Sequence, residues 1–113
     1  MNISDFQTRF GFEAMYDGYV DAEVLGGYTS DLLSDVMSKA GEASTLVTIQ
    51  AHKNTVAVAT LVGINSIIIC NSRPVSAEMI ESAKAEGIAL FRTDKTQFEV
   101  SGLLYCALRD AKA

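Results

Sequence analysis

A chain of 113 residues, 49% hydrophobic and 20% charged, has the size and composition of one folded domain and is too apolar to remain disordered. Its formal net charge of -5 and singly scattered lysines and arginines exclude binding dominated by a phosphate backbone, so no nucleic-acid partner is expected. No run approaches the roughly 20 apolar residues of a membrane helix, and the start carries Asp5 with no basic stretch ahead of an apolar core, so the expected location is the cytoplasm.

Composition is even from end to end, which predicts a single domain over residues 1–113. The two cysteines, Cys70 and Cys106, lie far apart within apolar surroundings and read as buried free thiols rather than a disulfide or a metal pair.

In chain order, Ser4 and Gln7 have capping-box spacing ahead of a short helix that places Ile3, Phe6 and Phe10 on one side and ends at Gly11. Phe12 to Tyr16 alternates, Asp17 and Gly18 supply a turn, and Val20 to Leu25 returns, so a hairpin is predicted. Gly26 and Gly27 then read as a sharp turn into a helix whose apolar stripe is Leu32, Leu33, Val36, Met37 and Ala40, stopping at Gly41. Leu46 to Ile49 is a strand buried on both faces, and Thr55 to Val62 is a crossover helix.

Ile67 to Cys70 is the central strand, ended by Asn71, Ser72, Arg73 and Pro74. Ser76 caps a helix with Glu78 in its first turn and Met79, Ile80 and Ala83 facing inward until Gly87. Ile88 to Phe91 is another buried strand. Thr96 and Glu99 form a capping box for a last helix with an inward stripe of Val100, Leu103, Leu104, Ala107 and Leu108. This alternation predicts an α/β fold, a small mostly parallel sheet flanked by helices.

In an open parallel sheet the ligand crevice lies beyond the carboxyl ends of the strands, where helix amino termini present free N–H groups. The matching segments are Gly26 to Asp31, Gln50 to Asn54, Asn71 to Pro74 and Arg92 to Thr96. The candidate binding residues are Gly26, Gly27, Thr29, Ser30, His52, Asn54, Asn71, Arg73, Arg92 and Thr93, with Arg73, Arg92 and Lys95 as a basic trio suited to one small anion. The plainer reading is that strand ends and helix caps are polar in any α/β protein. The glycine pair matches neither a dinucleotide fingerprint nor a P-loop.

His52 is the sole histidine and has no Cys, Asp or Glu at a metal-ligand spacing, so no metal or cofactor is expected. No nucleophile is placed for it by the sequence, so no catalysis is expected. Asp17, Asp21 and Glu23 read as a solvated face, and Phe98 and Tyr105, seven positions apart on one helix face, as core or subunit interface.

From Val24 onward the chain resembles the DRTGG domain family, roughly over residues 24–108. The resemblance rests on Leu25-Gly26-Gly27-Tyr28-Thr29-Ser30-Asp31-Leu32-Leu33-Ser34-Asp35-Val36-Met37, on Thr48-Ile49-Gln50-Ala51-His52-Lys53-Asn54-Thr55-Val56-Ala57-Val58-Ala59, and on the strand-helix-strand from Ile67 through Thr93. The stretch Ile88-Ala89-Leu90-Phe91-Arg92-Thr93 is also similar to the end of the amino-terminal domain of HPr kinase/phosphorylase, but the chain has no P-loop, so kinase activity is not expected.

The DRTGG resemblance implies a small regulatory α/β module without catalysis. Combined with the polar strand ends, it leads to the expectation of a regulatory module that binds a small anionic ligand, a nucleotide being one candidate, and that self-associates as a homodimer. The alternative is a purely structural protein-protein interaction subunit with no small-molecule ligand.

Overall fold

In the computed structural model, which describes residues 1–112, the apolar runs of the second half become parallel strands because helices cover both of their faces. The elements are α1 (Asp5–Thr8), β1 (Glu13–Ala14), β2 (Gly26–Thr29), α2 (Leu33–Lys39), β3 (Ser44–Thr48), α3 (Lys53–Val62), β4 (Ser66–Ile69), α4 (Ala77–Glu86), β5 (Ala89–Arg92) and α5 (Gln97–Ala111). The sheet order is β1-β5-β4-β3-β2. Strands β2 to β5 are mutually parallel and β1 joins β5 antiparallel, as the expected α/β architecture requires.

Each step from β2 to β5 moves one strand in the same direction, so crossovers of one hand bring their helices to one face. Val36 of α2, Val56 and Ala59 of α3, and Met79 and Ala83 of α4 pack there with Leu46, Ile67, Ile69 and Leu90. Phe6 of α1 and Val100 and Leu104 of α5 cover the other face, with Val47, Ile68 and Phe91. Successive residues of one strand thus feed opposite cores, which is why Ile67, Ile68 and Ile69 are all fully buried. Burying each such side chain contributes roughly 2 kcal/mol.

The helix ends of the second half form as read. Ser76 Oγ accepts the Met79 N–H at 3.1 Å, Gly87 closes α4 with a left-handed φ of 71°, and Thr96 and Glu99 complete a reciprocal capping box on α5.

The first thirty residues differ from expectation. No hairpin joins residues 12–16 to residues 20–25: Glu13 and Ala14 pair with Arg92 and Phe91, while residues 22–24 lie along the chain start. There Ile3 N–H donates to Ala22 C=O and Val24 N–H to Met1 C=O. The cause is that Phe12 and Val24 are drawn into the aromatic core around Phe6 and Phe91, and core burial outweighs local turn chemistry. Ser4 also forms no capping box, because Asp21 accepts both its N–H and its hydroxyl, at 2.9 and 2.8 Å. Asp21 is therefore engaged, although its side chain stays exposed with those of Asp17 and Glu23.

Gly26 and Gly27 are not a turn. They begin the edge strand β2, opposite Ser44 and Thr45. Of the two thiols only Cys70 is buried; Cys106 is exposed on α5, because the helix carries apolar residues on its outer side as well as its inner one.

Candidate functional site

Because β2 to β5 are parallel, the residues after Thr29, Thr48, Ile69 and Arg92 gather on one rim. The chain leaves β4 toward α4 on one face and β5 toward α5 on the other, and such a divergence is where an open sheet ordinarily leaves its crevice. Here the gap is stitched shut. Asn71 N–H donates to Lys95 C=O at 3.0 Å and Ser72 N–H to Thr93 C=O at 2.9 Å. Both donor residues hold left-handed backbone, with φ of 60° and 51°, a conformation that costs on the order of 1 kcal/mol per non-glycine residue and that these cross-loop bonds offset.

A second clasp centres on Asp31, a residue outside the candidate set. Its Oδ1 accepts from Thr48 Oγ1 at 2.8 Å, Ile49 N–H at 2.8 Å and Gln97 Nε2 at 3.0 Å. Its carbonyl accepts from Gln50 Nε2 at 3.0 Å. One carboxylate thus ties the β2–α2 loop to the end of β3 and to the start of α5. Burial, helped by the negative charge of Asp31, pushes the Cys70 thiol up to about 11, so that sulfur stays protonated and is no nucleophile.

The two clasps divide the ten candidate residues. Gly26 sits at the end of β2 away from the rim, opposite Ser44. Gly27 and Thr29 line a groove of about 220 Å³ under α5, with Thr29 Oγ1 2.6 Å from Ser101 Oγ. Ser30 Oγ accepts the Leu32 N–H at the entry to α2. Asn71 and Arg73 are exposed on the β4–α4 loop, and Thr93 Oγ1 accepts the Lys95 N–H at 3.2 Å.

Two members of the basic trio have other neighbours. Arg92 is held by Glu13 of β1, Nη2 to Oε1 at 3.2 Å, and Lys95 lies with Arg9 in a groove along α5.

His52 and Asn54 do come together, in a cleft of about 360 Å³ completed by Lys53, Ser76 and Glu78. The cleft sits where α3 and α4 both begin. His52 has the extended backbone of an N-cap residue, yet no side chain caps α3, since the imidazole Nε2 is 3.0 Å from Gln50 Oε1 instead. α4 and α5 have hydroxyl caps; in α3 the Thr55 N–H donates to His52 C=O at 3.0 Å, and the Lys53 and Asn54 amides are left for solvent or a ligand.

Lys53 Nζ meets Glu78 Oε1 at 2.6 Å, with the two side chains 61% and 65% exposed. That contact raises the lysine and lowers the carboxyl from their ordinary values. A pair this exposed is weakly held, because solvent screens it, so an entering anion can take the lysine from it. Ser76 and Glu78, which line this cleft, lie beyond the polar strand-end segment Asn71 to Pro74 and were not among the candidate residues. Their signal was the helix start itself.

No protein-family profile matches the chain, and no curated protein matches its sequence. Among solved structures it is similar to the CBS and DRTGG domains of the regulatory region of Clostridium perfringens pyrophosphatase, a structure complexed with its activator diadenosine tetraphosphate. The match has a TM-score of 0.65 at 14% identity and covers 90% of this chain and 44% of that one. At that identity the likeness is one of fold, and it agrees with the resemblance read from the sequence: the chain folds as a DRTGG-like domain.

Proposed function

We propose that this chain is a non-catalytic regulatory module of the cytoplasm that binds a small anionic ligand of the nucleotide class at the start of α3 and self-associates as a homodimer. The observation that carries the reading is the uncapped amino terminus of α3 opening into the cleft of His52, Lys53, Asn54 and Ser76. An anion there meets free N–H groups, the positive end of the helix dipole and one lysine. The solved structure of similar fold adds support, since that regulatory region is complexed with an adenine nucleotide of high negative charge. Regulation rather than catalysis is favoured by the setting of His52, whose ring nitrogen faces an amide oxygen of Gln50 rather than a hydroxyl nucleophile.

The test is a thermal-shift titration with AMP, ADP, ATP, diadenosine tetraphosphate and inorganic phosphate. A saturable rise in melting temperature with a nucleotide is expected, reaching about 2.7 kcal/mol of added stability at a hundredfold excess over Kd. Absence of any shift at millimolar concentration across the panel overturns the ligand reading.

A second reading, a protein-interaction subunit without a ligand, is favoured by the outward apolar side chains of α5, with Phe98 88% and Tyr105 69% exposed. It is separated from the first by the same titration, combined with the size of the particle in solution.

A further inference from the structure

Helix α5 packs on the sheet through Val100 and Leu104, and one of its flanks stays open. There it forms one wall of a groove of about 570 Å³, whose other wall is Arg9 and Phe10, the residues that follow α1. The lining residues run along the helix from Phe98 through Gly102, Leu103 and Cys106 to Asp110, at steps of three or four that keep them on one face. At 1.5 Å per residue that stripe is about 18 Å long, so the groove follows a line. We propose that it binds a small amphipathic anion, in its simplest form a medium-chain carboxylate, with the head group beside Arg9 and Lys95 and the alkyl chain lying along α5 over Gly102. This site is separate from the cleft at the start of α3, which lies on the other face of the sheet.

The sign of the ligand follows from which charged groups are already engaged. Glu99 turns back to Thr96, whose N–H and hydroxyl it accepts at 3.1 Å each, and Asp110 meets Arg109 at 3.3 Å. Neither Arg9 nor Lys95 forms an ion pair among the described residues; Arg9 lies over the Phe10 ring instead, 5.3 Å from its centroid. The two cations also stand toward one end of the groove. Lys95 leads into the amino terminus of α5, and the antiparallel pairing of Glu13 with Arg92 carries the residues before Glu13 toward the carboxyl end of β5, where Lys95 follows. Asp110 stands at the far end of α5, which favours an anionic head at the near one.

Gly102 keeps the path open. It stands inside a fifteen-residue helix, where glycine weakens the helix relative to almost any other residue. A Cβ added there meets no atom within 4 Å, and its φ is not left-handed, so neither packing nor backbone conformation within the chain calls for glycine. The empty space in front of it is the middle of the groove, which a larger side chain fills. Phe10, Phe98 and Leu103 supply apolar surface on either side. A mostly apolar lining with a few donors gathered toward one end is the usual make-up of a small-molecule site, and the volume is within the usual range.

Cys106 makes the test specific, because it lines the groove and is exposed while Cys70 is buried. The rate of Cys106 alkylation by iodoacetamide is measured on the full chain with octanoate, decanoate or laurate, with decylamine as the cationic counterpart, and with ADP. The carboxylates are expected to slow labelling saturably, with affinity rising about three- to fourfold per added CH₂, the effect of burying one. Decylamine is expected to protect about tenfold more weakly, since it loses the charged hydrogen bonds, and ADP to leave the rate unchanged.

Gly102→Leu is expected to abolish protection by decanoate while keeping or raising the melting temperature, since the helix gains a better former. Arg9→Gln combined with Lys95→Gln is expected to weaken decanoate about tenfold and to leave decylamine as it was. Equal protection by decanoate and decylamine, protection that survives Gly102→Leu, or none at millimolar decanoate overturns the site. Labelling that slows with rising protein concentration and no added amphiphile shows a second copy covering the groove, and overturns it too. None of these outcomes bears on the nucleotide titration, which reads the cleft at α3.

Discussion

His52→Asp is expected to stabilise the free protein and weaken its binding of anions, an opposition of sign that only a site at the start of α3 produces. His52 already has N-cap backbone, with φ -146° and ψ 166°, so an aspartate needs no rearrangement to accept the Asn54 N–H. A side-chain cap is worth about 1 kcal/mol, and a negative charge at the positive end of the helix adds about 0.3–1 kcal/mol. The lost contact between His52 and Gln50 is exposed and subtracts about 0.5 kcal/mol. The net gain is about 1 kcal/mol, a rise in melting temperature of roughly 3–6 °C for a domain of this length.

The same carboxylate occupies a donor that the ligand needs and repels its charge across a few ångströms. At the effective dielectric of a surface cleft this weakens binding by about ten- to a hundredfold. Thermal melts of wild type and variant, with and without ADP or diadenosine tetraphosphate, read both effects. A variant that melts higher and still binds with wild-type affinity places the anion elsewhere; one that melts no higher refutes the account of α3 as uncapped.

Asp31→Ala is expected to cost about 2–3 kcal/mol, because three donors lose a charged acceptor. Asp31→Asn, which keeps an oxygen there, is expected to cost less than half as much; equal losses in urea melts contradict the clasp. Cys70 is expected to resist iodoacetamide at about pH 8, where a thiol held near 11 is roughly one-thousandth ionised; labelling of Cys70 in the native protein contradicts its burial. The hydrogen bonds from Ser4 hold the Asp21 carboxyl below its ordinary value. Its contribution is therefore fully present above that ordinary value and is lost as pH falls through the lower folded one. Asp21→Asn is expected to be less stable than wild type near neutrality and to close that gap in acid, and a gap that stays constant in urea melts down to about pH 3 refutes the contact.

The second half of the fold was legible because its signals are local and redundant. A strand buried on both faces writes an unbroken apolar run, as in Ile67, Ile68 and Ile69, and a hydroxyl cap such as Ser76 or Thr96 lies within three residues of the amide it satisfies. Legibility fails where the partner is distant. Glu13 meets Arg92 across 79 positions and Gln97 meets Asp31 across 66, so neither the antiparallel edge nor the Asp31 clasp leaves a mark on its own segment.

β2 is similarly hidden, since Gly26, Gly27, Tyr28 and Thr29 become a strand only because β3 offers them an edge. The rim was found because it follows from strand direction alone. Its division into separate clefts was not, because that depends on which loops bond to one another, as Asn71 and Ser72 do to Lys95 and Thr93. Of the candidate residues, His52 and Asn54 share a cleft because the tight β3–α3 connection leaves them no other place.

The most direct measurement is amide mapping by NMR during titration with an adenine nucleotide. Saturable shifts are expected at Lys53, Asn54 and Thr55, with weaker ones at Ser76 and Glu78, while amides of β2 and the inner face of α5 stay still. Shifts confined to the α5 groove or to the exposed β4–α4 loop, or none at a nucleotide concentration that raises the melting temperature, contradict a binding site at the start of α3.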